Sequence, residues 1–162
     1  MKTSILQSIL LDTDGTVTDI IRHITGDTIR VTKIEQRLVY DNEPRLLQLD
    51  EESRLLHRTI LLSGRKHYLY AESVFVMDRM SEFMRTQLLE SQVPIGQLWQ
   101  QERMESFREI IERGSERNHS LLEYFPDLET DIFLYRTYLV YKGGEPLGLI
   151  TEKFPTEYFR QD

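Results

Sequence analysis

The chain contains no cysteine. Disulfides, thiolate nucleophiles and cysteine metal sites are excluded by that alone, and the absence fits a reducing cytoplasm. No apolar run approaches the roughly 20 residues a helix needs to cross a bilayer. The opening, Met1 to Leu11, has one Lys and a short apolar patch interrupted by Gln7 and Ser8. It lacks the apolar segment and small-residue cleavage site of a signal peptide, so neither membrane insertion nor export is expected. Positive charge is also in short supply. Twenty Lys and Arg stand against 27 Asp and Glu, a net charge of −7. Nucleic-acid binding along a phosphate backbone needs a basic surface and is disfavoured.

Familiar catalytic signatures are missing as well. The four histidines, His23, His57, His67 and His119, include no pair at the helical metal-binding spacing of i, i+4. Ser63 and Ser73 have no activating motif around them. Gly143-Gly144 sits between predicted strands, without the helix and Lys of a phosphate-binding loop. No internal repeat, low-complexity tract or linker interrupts the chain. The expectation is one domain over residues 1–162, with no motif for a catalytic metal or a nucleotide.

The residues that are present divide into clear segments. Apolar residues at helical spacing predict a short helix over 5–11 and a second over 16–25, with Val17, Ile20, Ile21 and Ile24 on one stripe. Gly26 is a natural stop for the second. Strands are predicted over 28–40, 54–62, 68–76, 131–141 and 147–154, where β-branched and aromatic residues concentrate. The turns Ser63-Gly64-Arg65-Lys66 and Lys142-Gly143-Gly144-Glu145-Pro146 make two hairpins. A helix is predicted from Arg79 to about Glu90, capped by Asp78, with Met80, Phe83, Met84 and Leu88 buried. Val93-Pro94-Ile95-Gly96 reads as a turn able to present backbone N–H groups, with one helical turn over 97–102. Residues 103–112 fit a helix or a strand. Residues 114–130 read as a loop anchored by Leu121, Leu122, Tyr124 and Phe125. The sum is an α+β fold with an antiparallel sheet.

Two charges stand out against this pattern. Arg58 shares a strand face with Leu56, Ile60 and Leu62, and Glu152 shares one with Ile150 and Phe154. Side chains alternate across a strand, so both charges should point into the core. A buried, unpaired charge costs several kcal/mol. The two either pair with each other or line a pocket for a polar anion. In the second case Arg58 would grip a carboxylate, and Glu152, as an acid or hydrogen-bond donor, would meet the ligand's other end. Arg108 and Arg136 are further positive groups, expected at the surface.

The residues Arg58-Thr59-Ile60-Leu61-Leu62, Tyr70-Ala71-Glu72-Ser73, Val93-Pro94-Ile95-Gly96, Gly144-Glu145-Pro146-Leu147 and Ile150-Thr151-Glu152-Lys153-Phe154-Pro155 occur in an order and spacing that resemble the chorismate pyruvate-lyase family. The likeness is to its archaeal, cyanobacterial and mycobacterial branch. Leu10-Leu11-Asp12-Thr13-Asp14-Gly15-Thr16-Val17-Thr18 adds to it, so the resemblance spans nearly the whole chain. It implies a single antiparallel six-stranded sheet with helical flaps covering an internal ligand site. The implied activity is removal of pyruvate from chorismate to leave 4-hydroxybenzoate, without cofactor. It implies that Arg58 grips the ring carboxylate and Glu152 meets the opposite end of the ligand. Gly15 and Ile95 match the positions of backbone contacts, with Thr16 and Gly96 beside them. Residues 103–112 become a strand on this basis. Gly15 departs from the bulkier residue of the best-known bacterial branch. The same fold serves as the effector-binding domain of bacterial transcription regulators, which normally carry a winged DNA-binding domain first. About 27 residues precede the first predicted strand here, too few for one, which favours an enzyme over a binding protein.

Overall fold

The computed structural model describes residues 2–14 and 16–160. Among these, six strands form one sheet: β1 (Arg30–Asp41), β2 (Ser53–Ser63), β3 (His67–Val76), β4 (Phe107–Arg117), β5 (Ile132–Lys142) and β6 (Glu145–Pro155). Their spatial order is β1-β2-β3-β6-β5-β4, and every neighbouring pair is antiparallel. The two predicted hairpins, β2–β3 and β5–β6, meet at the centre along β3 and β6. The two edge strands carry register irregularities at Lys33/Glu35 and Ile110/Glu112. Charges and bulges of this kind discourage pairing with a further strand.

All four α-helices cover one face of the sheet. Helices α1 (Ile5–Asp12) and α2 (Val17–Thr25) place Leu10, Leu11, Val17 and Ile21 against Leu62, Leu69, Leu134 and Phe154. Helices α3 (Glu82–Glu90) and α4 (Ile95–Glu102) place Met84, Leu88, Leu98 and Trp99 against Leu56, Phe75, Tyr138 and Ile150. Each fully buried Leu or Met contributes about 1.5–3 kcal/mol relative to exposure. The space between these two clusters, over the middle of the sheet, is where a ligand has room. The opposite face carries two smaller clusters, one around Leu121, Phe125 and Phe133 and one around Leu47, Leu55 and Leu139. No helix is long and apolar enough to cross a membrane among the described residues.

Local chemistry explains the helix ends. Ser4 Oγ accepts from the Gln7 backbone N–H while Gln7 Oε1 accepts from that of Ser4, a reciprocal cap. The Gln7 amide also donates to the carbonyls of Thr156 and Tyr158, both at 2.8 Å, tying α1 to the end of β6. Helix α2 stops at Gly26, whose φ of 73° lies in the left-handed region.

Four expectations about the elements need correction. Helix α3 starts at Glu82, capped by Ser81 rather than Asp78, because Asp78 sits in a short 3-10 turn and pairs with Arg54 at 3.0 Å. Phe83 is 42% exposed, since Met84 and Leu88 define the packed stripe and Phe83 lies about 100° around from it. Pro94-Ile95-Gly96 is the start of α4 rather than a free turn: Pro94 is the N-cap and its carbonyl accepts from Gln97 and Leu98. Residues 107–117 form a strand, so the loop after it begins only at Asn118, and Leu121 and Phe125 anchor it as expected.

Candidate active site

Period-two alternation fixes the site. The register aligns Arg58 with Ser73, Ser73 with Ile150 and Ile150 with Tyr138, so these four cross the sheet in one row on the helix-covered face. The next row is Ile60, Ala71, Glu152 and Arg136. Above them lie Thr16 at the cap of α2 and Pro94, Ile95 and Gly96 at the start of α4. Together they enclose a cavity of about 50 Å³, which Phe75 and Arg108 also line. A single water needs roughly 10–15 Å³ by this measure, so the space takes a few waters or a compact organic acid.

Arg58 is 4% exposed. Among the described residues it has no ion pair, and its Nε has no hydrogen-bond partner. Burial pushes the guanidinium down to about 10, the response of a cation taken out of water without a counter-charge. Lys33, opposite Ile60 on the neighbouring strand, adds to the local positive potential. Burial, followed by the nearby Arg58, holds its ammonium below the usual range. Its Nζ donates to the carbonyls of Leu88 and Leu89, both at 3.0 Å, fastening the end of α3 beside the site.

Glu152, 8% exposed, is not the partner of Arg58. It accepts from Arg136 Nε at 2.8 Å. β2 and β6 are separated by β3, so the backbones under Arg58 and Glu152 lie about 10 Å apart across the sheet. The mutual pair considered from sequence is thereby excluded. Arg136, expected at the surface, is 2% exposed. Its Nη1 donates to the Thr13 carbonyl at 2.6 Å and its guanidinium lies 4.8 Å from the Tyr138 ring centre. Burial alone would lower its proton affinity, but Glu152 and Tyr138 outweigh burial and raise it. Tyr138 is held protonated, well above the usual phenol range, by burial and then by Glu152, against opposing effects of Arg108 and Arg136. It presents a neutral O–H to the cavity.

The two helical flaps meet over the site. A Cβ on Gly96 would fall 2.8 Å from Thr16 Cγ2 and 3.1 Å from Thr16 Oγ1. Glycine thus permits the close approach of α4 to the cap of α2. Gln100 reaches across to Thr16 Oγ1 at 3.4 Å. Thr16, Ile95 and Gly96 therefore line the cavity with Arg58 and Glu152. Gly15 lies outside the described residues. The pattern that singled out Arg58 and Glu152 also fits Arg136, which shares a face with Leu134, Tyr138 and Val140. Arg108, a positive group expected at the surface, is half-buried and lines the same cavity, while Tyr138 gave no comparable signal.

The other face holds a broader depression of about 380 Å³, lined by Glu35, Arg37, His57, Thr59, Glu72 and Thr151 among others. Burial, then Arg37, lowers the His57 proton affinity. This depression mixes charges of both signs, whereas the smaller cavity lies under the helices and holds the buried guanidinium of Arg58, which has no ion pair among the described residues. The smaller one is the better candidate. Among the described residues, no group of three or more His, Asp or Glu side chains is placed to hold a metal ion.

Comparison with known proteins gives a consistent result. Residues 11–161 match the model of a family described as chorismate pyruvate-lyase, Rv2949c-like. The chain is 27% identical over 162 residues to a chorismate pyruvate-lyase of Mycobacterium tuberculosis, spanning 94% of this chain and 80% of that protein. It is 30% identical over 159 residues to a chorismate pyruvate-lyase of Mycobacterium leprae, spanning 94% and 75%. Among solved structures it resembles the effector domain of PhnF from Mycobacterium smegmatis, with a TM-score of 0.67 at 10% identity over 89% of this chain and 90% of that one. It also resembles a possible transcriptional regulator, YydK from Bacillus subtilis, with a TM-score of 0.63 at 12% identity, covering 81% of this chain but only 60% of the regulator. At such identities the structural likeness speaks for the fold alone.

Proposed function

We propose, from the premise that this chain belongs to the Rv2949c-like chorismate pyruvate-lyase family, that it removes pyruvate from chorismate and leaves 4-hydroxybenzoate in the cavity between the sheet and its helical flaps. The observation that carries this reading is Arg58, a buried cation with no ion pair among the described residues, lining the cavity under the helices. An isolated charge there costs several kcal/mol, and a carboxylate ligand removes that cost. The guanidinium fork matches a carboxylate in two parallel hydrogen bonds.

In the proposed reaction the ether C–O bond of the enolpyruvyl group breaks and the ring carbon bearing the hydroxyl loses its proton. The ring becomes aromatic, and the released enolpyruvate takes up a proton at its methylene and departs as pyruvate. Atoms and electrons balance without an oxidant. Arg58 holds the ring carboxylate, while the Glu152 carboxylate, fixed by Arg136, lies two strands away at the hydroxyl-bearing end. There it is placed to accept a proton or a hydroxyl hydrogen bond. Thr16, Ile95 and Gly96 close over the ring. Holding the substrate in a reactive pose away from water supplies much of the acceleration. A product enclosed in this way leaves only when the flaps part, so flap opening limits turnover. We place the reaction in the cytoplasm, in keeping with the lack of cysteine.

The resemblance of the fold to regulator effector domains favours one other reading, a binding protein for small anions without catalysis. Incubation of the purified protein with chorismate separates the two. Equimolar 4-hydroxybenzoate and pyruvate that require Arg58 are expected of the lyase. Tight binding of 4-hydroxybenzoate with no turnover supports the binding protein instead.

A further inference from the structure

Arg136 uses two of its three side-chain nitrogens inside the protein. Nε donates to Glu152 Oε1 at 2.8 Å, and Nη1 donates to the Thr13 carbonyl at 2.6 Å. Nη2 is buried without a hydrogen-bond partner among the described residues, on a side chain that is 2% exposed. An N–H left unmade in an interior is costly, and it calls for a partner that the protein alone does not supply. The planar guanidinium says where that partner sits. Nη2 and the Nε–H lie on the same side of it, the two positions a carboxylate can take together in parallel hydrogen bonds. Glu152 takes only the Nε position.

Arg136 stands directly opposite Glu152 in the β5–β6 register, and Glu152 lines the cavity. Tyr138, on the same face of β5, lines it too, so the cavity reaches the strand that carries Arg136. An oxygen that donates its hydrogen to Glu152 is thereby brought beside Nη2 and can accept from it. A hydroxyl meets both demands at one atom. A neutral aromatic amine donates but accepts poorly, and a methyl group does neither.

We propose that Arg136 Nη2 and Glu152 together recognise a hydroxyl at the end of the ligand remote from Arg58, which makes Arg136 a specificity-determining residue as well as the anchor of Glu152. The inference rests on the lyase reading above. The charge of Arg136 stays answered by Glu152, and only its spare N–H turns to the ligand.

Calorimetry on 4-hydroxybenzoate, 4-aminobenzoate and 4-methylbenzoate tests this, because the three share a carboxylate and differ only at the opposite end of the ring. In wild type the hydroxy acid should bind about 10- to 100-fold more tightly than the amine, the worth of a hydrogen bond to a charged group. The ammonium of Arg136→Lys is shorter; it can pair with Glu152 but does not reach the place of Nη2. There the preference for hydroxyl over amine should shrink to less than about threefold, with 4-methylbenzoate within about twofold of wild type. Should Arg136→Lys fail to fold, Glu152→Gln takes its place, and the preference should persist because Nη2 is still present. Equal affinities for the hydroxy acid and the amine in wild type overturn the proposal. A preference that survives intact in Arg136→Lys, or vanishes in Glu152→Gln, assigns recognition to Glu152 alone and overturns it as well. If wild type neither turns over chorismate nor binds 4-hydroxybenzoate, the lyase reading fails and takes this inference with it. If wild type turns over chorismate without preferring the hydroxy acid, the lyase reading stands and only the role of Nη2 is lost.

Discussion

Arg58 and Arg136 face the same side of the same sheet, with 4% and 2% of their surfaces exposed, and they are held in opposite ways. Arg136 bonds Glu152 and the Thr13 carbonyl and rests on Tyr138. Arg58 has no anion beside it among the described residues. Arg136 is ion-paired and fixes a carboxylate and the turn before α2, although its Nη2 is buried without a hydrogen-bond partner among the described residues. The other is a buried cation with no ion pair among the described residues, and on the proposed reading its partner is the ligand. The difference shows how burial alone is ambiguous: it marks both residues as unusual, and only the partner separates a structural charge from a binding one.

The contrast can be broken most severely at Arg136. Arg136→Met leaves Glu152 buried without its cation and should destabilise the protein by about 3–5 kcal/mol, measured by urea unfolding. Arg58→Met should do the reverse to stability, raising the unfolding midpoint of the free protein, while weakening 4-hydroxybenzoate binding by about 10²- to 10³-fold in calorimetry. If Arg58→Met binds the acid normally, the site is misplaced. Glu152→Gln keeps the shape and removes the charge. Turnover of chorismate should fall about 10²-fold with a smaller change in product affinity. Equal activity in that variant reduces Glu152 to an orienting contact.

A pH titration sharpens the same comparison. Benzoate carries no second ionising group in the relevant range. Its affinity should be flat from about pH 7 to 9, then fall about tenfold per unit above pH 10 as Arg58 loses its proton. In the free protein above about pH 10, the unfolded chain keeps that proton, at the ordinary guanidinium affinity, while the folded site has released it. The Arg58 contribution to stability therefore rises with pH over this range. The smallest expected effect is at the flaps. Gly96→Ala crowds Thr16, so it should raise KM a few-fold and speed product release in stopped-flow traces, with little change in the melting temperature.

Much of this was legible beforehand. The two hairpins, the opening helices and the anchored loop around Leu121 and Phe125 followed from period and turn chemistry, which are local. Charge on an apolar strand face pointed to Arg58 and Glu152, and the structure brings both to one cavity. The same reasoning applied to Arg136 would have found a third buried charge. The start of α3 was misplaced because Asp78 and Ser81 are both good caps, and the choice fell to Arg54, distant in sequence, which holds Asp78 elsewhere.

The sequence by itself determined the elements, the faces of their strands and the presence of charges that no apolar core tolerates unpaired, because side-chain alternation and burial cost depend only on near neighbours. Which charge answers which was decided by the tertiary structure. Strand order puts β3 between β2 and β6 and sets β5 beside β6, so Glu152 meets Arg136 and Arg58 is left without an ion pair among the described residues. Coulomb attraction and hydrogen bonding act over a few ångströms, and only the folded sheet sets those distances.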